Sequence, residues 1–456
     1  MLTESEPSTI SPRPQEERDQ ETETGAAGRS RRQERRSQRP RSVRRFLLLS
    51  LGSLLLLATA LLGKGDLALG PRQASQLQET LLAGPFITNP LTPAQVEALR
   101  HREAAMNEQA LAHLYLSHMT LDQKLGQLFM VQYYGTTYSA DLETMIHDLY
   151  AGGVIMYAAQ MRTFQQTRAD IQHMQARAWM PLFISADEEG GFVERINNIY
   201  GHRPGALEIY QTGKVSNAAA LGRGIAHDLK ALGLNTDLAP DVDVPVVNGP
   251  DQYLRTWGYT PQSVIDYGGA YLRAVQGAGV IACLKHFPGL GAAQTDAHTD
   301  LPVIKRSREQ IYSTELVPFK YFVQSSQPLD HPGMIMTTDL LMPALDPVWP
   351  AELSPTIVTG ILRHELGYNG VVITDALYME GIAKKWSLPE AVVLALAAGN
   401  DMILGVRSSY DLRSAVAAIK QALASGQLSQ SAIDASVTRI VALKLHYHLW
   451  PLPRFV

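Results

Sequence analysis

The stretch Gly279-Val-Ile-Ala-Cys-Leu-Lys285-His286-Phe-Pro-Gly-Leu-Gly291 decides how this chain is read. Val280–Leu284 is a short, uninterrupted apolar run, the composition of a strand buried on both faces. It delivers a cation and an imidazole into Phe287-Pro288-Gly289, whose Pro and Gly turn the chain into a loop. That loop then presents Asp296-Ala297-His298. In an extended segment the i, i+2 spacing puts Asp296 and His298 on one face. A carboxylate so placed fixes the tautomer of an imidazole and raises its pKa, which makes the pair a candidate general acid/base.

The same pattern recurs on either side. Thr120-Leu-Asp-Gln123 fits a capping box that opens a helix, and apolar runs then alternate with helical-period segments. The expected strands are Leu128–Tyr133, Gly153–Tyr157, Leu182–Ala186, Thr236–Ala239, Val280–Leu284, Met334–Thr337, Gly370–Ile373 and Asp401–Leu404. Buried strands alternating with amphipathic helices imply a parallel sheet. Eight such units over about 340 residues imply an α/β fold, a closed (β/α)8 TIM-type barrel. No Gly-x-Gly-x-x-Gly turn opens a helix after the first strand, which argues against a dinucleotide fold.

In a barrel of this kind the functional groups gather where strands end, and the conspicuous polar residues lie there. The third strand runs into Asp187-Glu188-Glu189-Gly190-Gly191-Phe192-Val193-Glu194-Arg195, and the fourth into Asp241-Val242-Asp243, with Arg255 downstream. The fifth reaches Lys285-His286, the sixth Thr338-Asp339 and the seventh Thr374-Asp375. Asp241 and Asp243 equally suit helix caps or structural ion pairs. Asp375 follows Gly370-Val-Val-Ile-Thr374, so its carboxylate is expected to face the barrel mouth.

Composition narrows the possible functions. The 456 residues are 45% hydrophobic and 18% charged, enough to bury a large core. Of 40 basic and 44 acidic residues, nine arginines and one glutamate fall between Arg29 and Arg45, leaving 31 against 43 elsewhere. The body of the chain therefore has no electrostatic case for nucleic acid. Cys283 is the single cysteine, so neither an intramolecular disulfide nor a Cys-cluster zinc site is possible, and its apolar surroundings make it a core residue. Residues 1–45 are polar and Arg-rich, and are expected to be a disordered cytoplasmic tail. Phe46–Gly63 is an 18-residue run without a charge, expected to be a transmembrane signal anchor. A cleaved signal peptide is the alternative, since Ala58-Thr59-Ala60 reads as a cleavage site. Either places the barrel outside the cytoplasm, with residues 64–108 as a tether and 109–456 as the catalytic domain.

Four segments in this order, Asp187-x-Glu-Gly-Gly-x-Val-x-Arg195, Lys285-His-Phe-Pro-Gly-x-Gly291 with Asp296-x-His298, Leu353-Ser-Pro355 and Gly370-Val-Val-Ile-Thr-Asp-Ala-Leu-x-Met379, resemble glycoside hydrolase family 3. More narrowly they resemble its single-domain β-N-acetylglucosaminidase branch, over roughly residues 115 to 450. The resemblance implies a retaining exo-glycosidase acting on terminal β-linked N-acetylglucosamine of peptidoglycan- or chitin-type fragments. Asp375 would be the nucleophile and His298, held by Asp296, the acid/base. Asp187, Arg195, Arg255, Lys285, His286 and Met379 would bind the terminal sugar, with no metal or organic cofactor. Many family 3 β-glucosidases add an α/β sandwich that carries the acid/base. Here it is expected within the barrel loops, which favours N-acetylhexosaminides over β-glucosides.

Three residues depart from the family pattern. Ala297 stands where Ser or Thr is usual, Phe192 where Arg is frequent, and Asp339 where an Ala-His pair is common. The alternatives left open are a β-glucosidase, a phosphorylase or transglycosylase on the same scaffold, and a non-catalytic glycan-binding barrel. Asp187-Glu188-Glu189 also has a superficial likeness to the paired acids of substrate-assisted hexosaminidases, which Gly190-Gly191 and Asp375 fit less well. Nothing in the sequence identifies the oligomeric state.

Overall fold

A computed structural model describes residues 108–249 and 252–449. The expected tail 1–45, the anchor 46–63 and residues 64–107 of the tether lie outside the described residues. Among the described residues no helix is long and apolar enough to cross a membrane.

Eight parallel strands close into a barrel in chain order: β1 (Phe129–Val131), β2 (Gly153–Ile155), β3 (Phe183–Ala186), β4 (Thr236–Asp237), β5 (Ile281–Phe287), β6 (Met334–Thr337), β7 (Val371–Ala376) and β8 (Met402–Leu404). All eight expected strands are present. Their residues are buried almost throughout, because one face packs the barrel interior and the other packs the surrounding helices. The helices Phe164–Arg177, Val215–Leu232, Pro261–Gly277, Leu316–Gln324, Leu388–Ala398 and Ser409–Ser425 form part of that outer layer. Several begin on a Ser or Thr whose side chain accepts a backbone N–H of the first turn, which satisfies donors the helix itself cannot. Thr120 and Gln123 form the expected capping box, with reciprocal hydrogen bonds of 3.3 and 2.8 Å.

The closed end of the barrel holds a buried cation. Lys444, on the helix Gln430–His446, donates to Gln127 Oε1 at 2.7 Å and to the Gly152 carbonyl at 2.9 Å, above the Phe183 ring. Burial pushes its pKa well down. Cys283 is buried inside the barrel wall, as expected.

Two strands differ from expectation in a way that matters for function. β5 continues through Lys285, His286 and Phe287, and β7 through Thr374, Asp375 and Ala376, so these residues belong to strands rather than to the loops after them. Each strand carries an irregularity there. Leu284 pairs with Ile335 and Phe287 with Thr337, so three steps on β5 face two on β6. Ile373 pairs with Met402 and Ala376 with Leu404, the same mismatch on β7 against β8. A bulge inserts one residue and re-aims its neighbours. Lys285 and His286 would point to opposite faces of a regular strand, yet both line the pocket at the mouth.

Asp401, immediately before β8, links that strand to β7 and to two arginines. Its fully buried carboxylate accepts the Val372 N–H at 2.9 Å, pairs with Arg363, and takes Arg439 Nε and Nη2 at 2.9 and 2.7 Å. Burial raises the carboxyl's pKa, but the two guanidinium groups outweigh it and hold Asp401 below the usual range. Asp401→Ala strands two cations, and urea unfolding is expected to show a loss of about 3–5 kcal/mol. Because the folded pKa is depressed, this stabilisation is complete above the unfolded carboxyl's pKa. It is lost as pH falls through the folded value.

Candidate active site

The loop after β3 begins the site. Gly190 and Gly191 have φ of +82° and +63°, a left-handed pair that side chains disfavour. A Cβ on Gly191 would also stand 2.6 Å from Gly205 Cα. The reversal lets the Glu189 N–H reach the Val193 carbonyl at 2.9 Å and brings Arg195 back to within 3.9 Å of Asp187.

Lys285 is the hub. Its buried Nζ donates to Asp187 Oδ1 at 2.7 Å and lies 2.8 Å from Glu189 Oε1. Burial alone would lower its pKa, but Asp187 and then Glu189 override that and hold it above the usual lysine range. Burial likewise raises Asp187, and Lys285 and Arg195 overcome this to leave it below the usual value. Arg255 meets Glu189 in a two-point pair, Nε to Oε2 at 2.9 Å and Nη2 to Oε1 at 2.8 Å. Such a fork locks both side chains in one geometry. Arg195 stands 3.9 Å from Asp187 and lies over the Tyr157 ring.

His286 is held by an acid from β4's continuation. Its Nδ1 contacts Asp243 Oδ2 at 2.7 Å, while Asp243 Oδ1 accepts the N–H groups of His286 at 3.3 Å and Leu290 at 2.7 Å. Burial would lower the imidazole's pKa, but the Asp243 hydrogen bond and charge raise it. Nε2 is left facing Arg255 Nη2 at 3.5 Å. Asp241, beside them, is pushed up to about 8 by burial and then by Asp243. Asp241, Asp243 and His286 lie close enough to share a cation. Asp243 is nevertheless fully engaged, and Arg255 Nε stands 3.5 Å from Asp241, so the donors serve an ion-pair network. Of the two acids for which caps or structural ion pairs were considered, Asp243 contacts His286 and Asp241 Oδ2 stands 3.5 Å from Arg255 Nε.

Asp375 sits on the β7 bulge. Its Oδ1 accepts the Ala376 N–H at 2.8 Å and its Oδ2 the Thr338 hydroxyl at 3.2 Å. Asp296 and His298 pair on the loop after β5. Asp296 Oδ1 lies 2.8 Å both from the His298 N–H and from its Nδ1. Burial acts to raise Asp296, and these hydrogen bonds hold it below the usual carboxylate range instead. The imidazole is 69% exposed, so Nε2 is open to a ligand.

These groups share one opening at the barrel mouth. A cavity of about 340 Å³ is lined by Asp187, Arg195, Arg255, Lys285, His286, His298, Asp375 and Met379, with Tyr157 and Tyr378 closing one side. A second lobe, lined by Leu290, Asp296, His298, Thr338 and Asp375, adjoins it. Asp296 lines only this second lobe, so every sequence-expected site residue borders the opening. Sequence reasoning did not single out Glu189, Tyr157, Tyr378, Thr338 or Glu352 as site residues. Glu189 lay in plain sight within the Glu-Gly-Gly segment, where a buried acid needs a cationic partner.

Residues 120–443 match the family described as glycosyl hydrolase family 3 N terminal domain. The chain is 34% identical over 381 residues to beta-hexosaminidase A of Pseudoalteromonas piscicida, covering 72% of this chain and 61% of that one. It is 32% identical over 332 residues to beta-hexosaminidase LpqI of Mycobacterium tuberculosis, covering 70% and 82%. Among solved structures it is similar to a glycoside hydrolase family 3 beta-N-acetylglucosaminidase from Paenibacillus. That match has TM-score 0.67 at 35% identity and covers 73% of this chain and 63% of that one. With a match over most of its length and the site residues assembled at one barrel mouth, this chain belongs to glycosyl hydrolase family 3.

Proposed function

We propose that the protein is a retaining, exo-acting glycosidase that removes terminal β-linked N-acetylglucosamine from peptidoglycan- or chitin-type fragments. One observation carries the reading. Asp375 and the Asp296-held His298 border the same pocket, whose other wall is a dense hydrogen-bonding array of Asp187, Lys285, Arg255 and His286. Similarity to proteins described as beta-hexosaminidases supports the choice of sugar.

The array binds the hydroxyls of one terminal sugar and orients its anomeric carbon over Asp375. A carboxylate oxygen of Asp375 attacks that carbon while the bond to the departing oxygen breaks. His298 Nε2–H supplies the proton that the leaving oxygen takes up. In the second half, His298 accepts a proton from water as the water attacks the anomeric carbon and releases Asp375. Most retaining glycosidases use two carboxylates. Asp296 makes an imidazole serviceable in the second role, by holding Nδ1 and leaving Nε2 for the travelling proton. The charged wall is fixed before substrate arrives, so its contacts strengthen as the oxocarbenium develops, without reorganisation. The arginine-rich stretch before the uncharged run 46–63 supports placing the barrel outside the cytoplasm, anchored or released after cleavage.

A histidine acid/base also tolerates an anionic acceptor, so phosphorolysis is the second reading. Release of aryl alcohol from an aryl β-N-acetylglucosaminide by the full-length protein, with the matching β-glucoside as control, tests the sugar. Repeating it with inorganic phosphate tests the acceptor. The expected outcome is turnover of the N-acetyl substrate at least about tenfold better than the glucoside, the discrimination one well-placed polar contact supplies. Phosphate is expected to have no accelerating effect. Turnover of neither glycoside would sink the enzyme reading in favour of a glycan-binding barrel.

A further inference from the structure

Two buried acids beneath Asp375 take no part in the mechanism above. Asp339 follows β6 and Glu352 lies in the single turn Ala351–Leu353, and neither is exposed. Both reach Asp375. Thr338 Oγ1 stands 3.2 Å from Asp375 Oδ2 and 3.4 Å from Asp339 Oδ1, and Glu352 Oε2 accepts the Asp375 N–H at 3.1 Å. Asp339 Oδ2 and Glu352 Oε1 have no hydrogen-bond partner. Asp339 Oδ2 packs against Gly381, where a Cβ would stand 2.3 Å away. The charges that act most strongly on the pair are acidic, Asp375 on β7, Asp296 on the loop after β5 and Asp339 on Glu352, while Arg255, His286 and His298 line the same lobe as Thr338 and Asp375.

Counting hydrogens restricts the possibilities. Thr338 has one hydroxyl hydrogen and two carboxyl neighbours. If both carboxyls were ionised, one would be left facing an oxygen lone pair in a buried site. A proton on Asp339 removes the conflict. Asp339 Oδ1–H then donates to Thr338 Oγ1, and the Thr338 hydroxyl donates to Asp375 Oδ2.

We propose that Asp339 works as a neutral acid and is a positioning residue for the Asp375 carboxylate, acting through Thr338, while Glu352 Oε2 holds the backbone N–H of the same residue. The proposal rests on the reading of Asp375 as nucleophile. Burial, followed by the charge of Asp375, pushes Asp339 up to about 9. Burial, followed by Asp339 and Asp375, raises Glu352 well above the usual glutamate value. One Asp375 oxygen is thus held by a main-chain N–H and the other by a hydroxyl whose direction is set from behind. When Asp339 ionises, the hydroxyl turns to it, and a second negative charge stands beside the nucleophile.

Two readouts on the full-length protein test this. The first is thermal unfolding against pH. The native state holds a proton on Asp339 that the unfolded chain releases above about pH 4, so wild type loses stability as pH rises toward the folded value. Asp339→Asn carries no such cost. Its Tm is expected to exceed that of wild type by about 3 °C or more at pH 8, with the gap closing toward pH 4. An Asn variant less stable than wild type at pH 8 would overturn the neutral-acid assignment.

The second readout is kcat/KM on a dinitrophenyl β-N-acetylglucosaminide, whose leaving group needs no acid, so proton donation by His298 does not enter. Wild type is expected to lose activity between pH 8 and 10. Asp339→Asn, which can still donate to Thr338, should stay within about threefold of wild type at pH 7 and lose less than wild type above it, where the remaining fall belongs to Asp241. Asp339→Ala and Thr338→Val should each fall about 100-fold, and their combination no further, as members of one chain are not additive. An Asn variant as poor as Ala would overturn the positioning role. Absence of turnover by wild type would remove the nucleophile reading and the positioning role with it, while the sign of the Tm difference still decides the proton.

Discussion

Asp375→Ala is expected to reduce kcat on an aryl β-N-acetylglucosaminide by about 10⁴-fold or more, equivalent to roughly 5–6 kcal/mol of barrier. The reason is covalent. Without the carboxylate there is no group on that face of the sugar to form the glycosyl ester, and the oxocarbenium loses its nearest negative charge. The side chain is small and sits at the mouth, held only by the Ala376 N–H and the Thr338 hydroxyl, so the variant should fold. Azide supplies the decisive control. It fits the space vacated by the carboxylate and should restore aryl release while forming an α-glycosyl azide, the product of attack from the Asp375 side. Rescue with a β-azide, or undiminished activity, would show that Asp375 is not the nucleophile.

His298→Ala should separate substrates by their leaving groups. With a poor leaving group the loss is expected to reach about 10³-fold, within the range a positioned general acid contributes. With a dinitrophenyl leaving group, glycosylation needs no proton, and the loss in kcat/KM should shrink to less than about tenfold. His298 is exposed and bonded only to Asp296 at 2.8 Å, so its removal opens no cavity in the core. Asp296→Asn should give a smaller version of the same split, because an amide oxygen still accepts from Nδ1 and orients the ring but brings no negative charge. Equal losses on both substrates would assign His298 to sugar binding and leave the acid to be found elsewhere.

Much of this was legible in the chain because it depends on short-range pattern. Most of the eight strands announced themselves as apolar runs, with β4 at Thr236–Asp237 the exception, and Thr120-Leu-Asp-Gln123 announced a helix start, since strand burial and helix capping act over a few residues. The Asp296–His298 pair was expected on one face of an extended segment, but it forms across a turn, in which Asp296 Oδ1 accepts the His298 N–H and the Asp296 carbonyl accepts the Thr299 N–H. The limits were also local. Strand ends were placed too early at Leu284 and Ile373, because Lys285, His286 and Asp375 are polar and a buried strand is expected to be apolar. Ion pairing with Asp187, Glu189 and Asp243 makes the burial of Lys285 and His286 possible. Asp339 was legible only as a departure. Its meaning needs Glu352 and Asp375 beside it, and these come from different parts of the chain.

The sequence by itself determined the alternation of strand and helix, its count of eight, and the residues gathered at strand ends, because period and composition are properties of consecutive residues. Only the tertiary structure decided which charges neutralise which: Lys285 with Asp187 and Glu189, Arg255 with Glu189, His286 with Asp243. It alone showed that bulges on β5 and β7 turn neighbouring side chains into one pocket. Partners far apart in sequence meet only when the barrel closes. In a buried site the partner sets the charge a group carries, so the chemistry of the mouth is a property of the closed barrel.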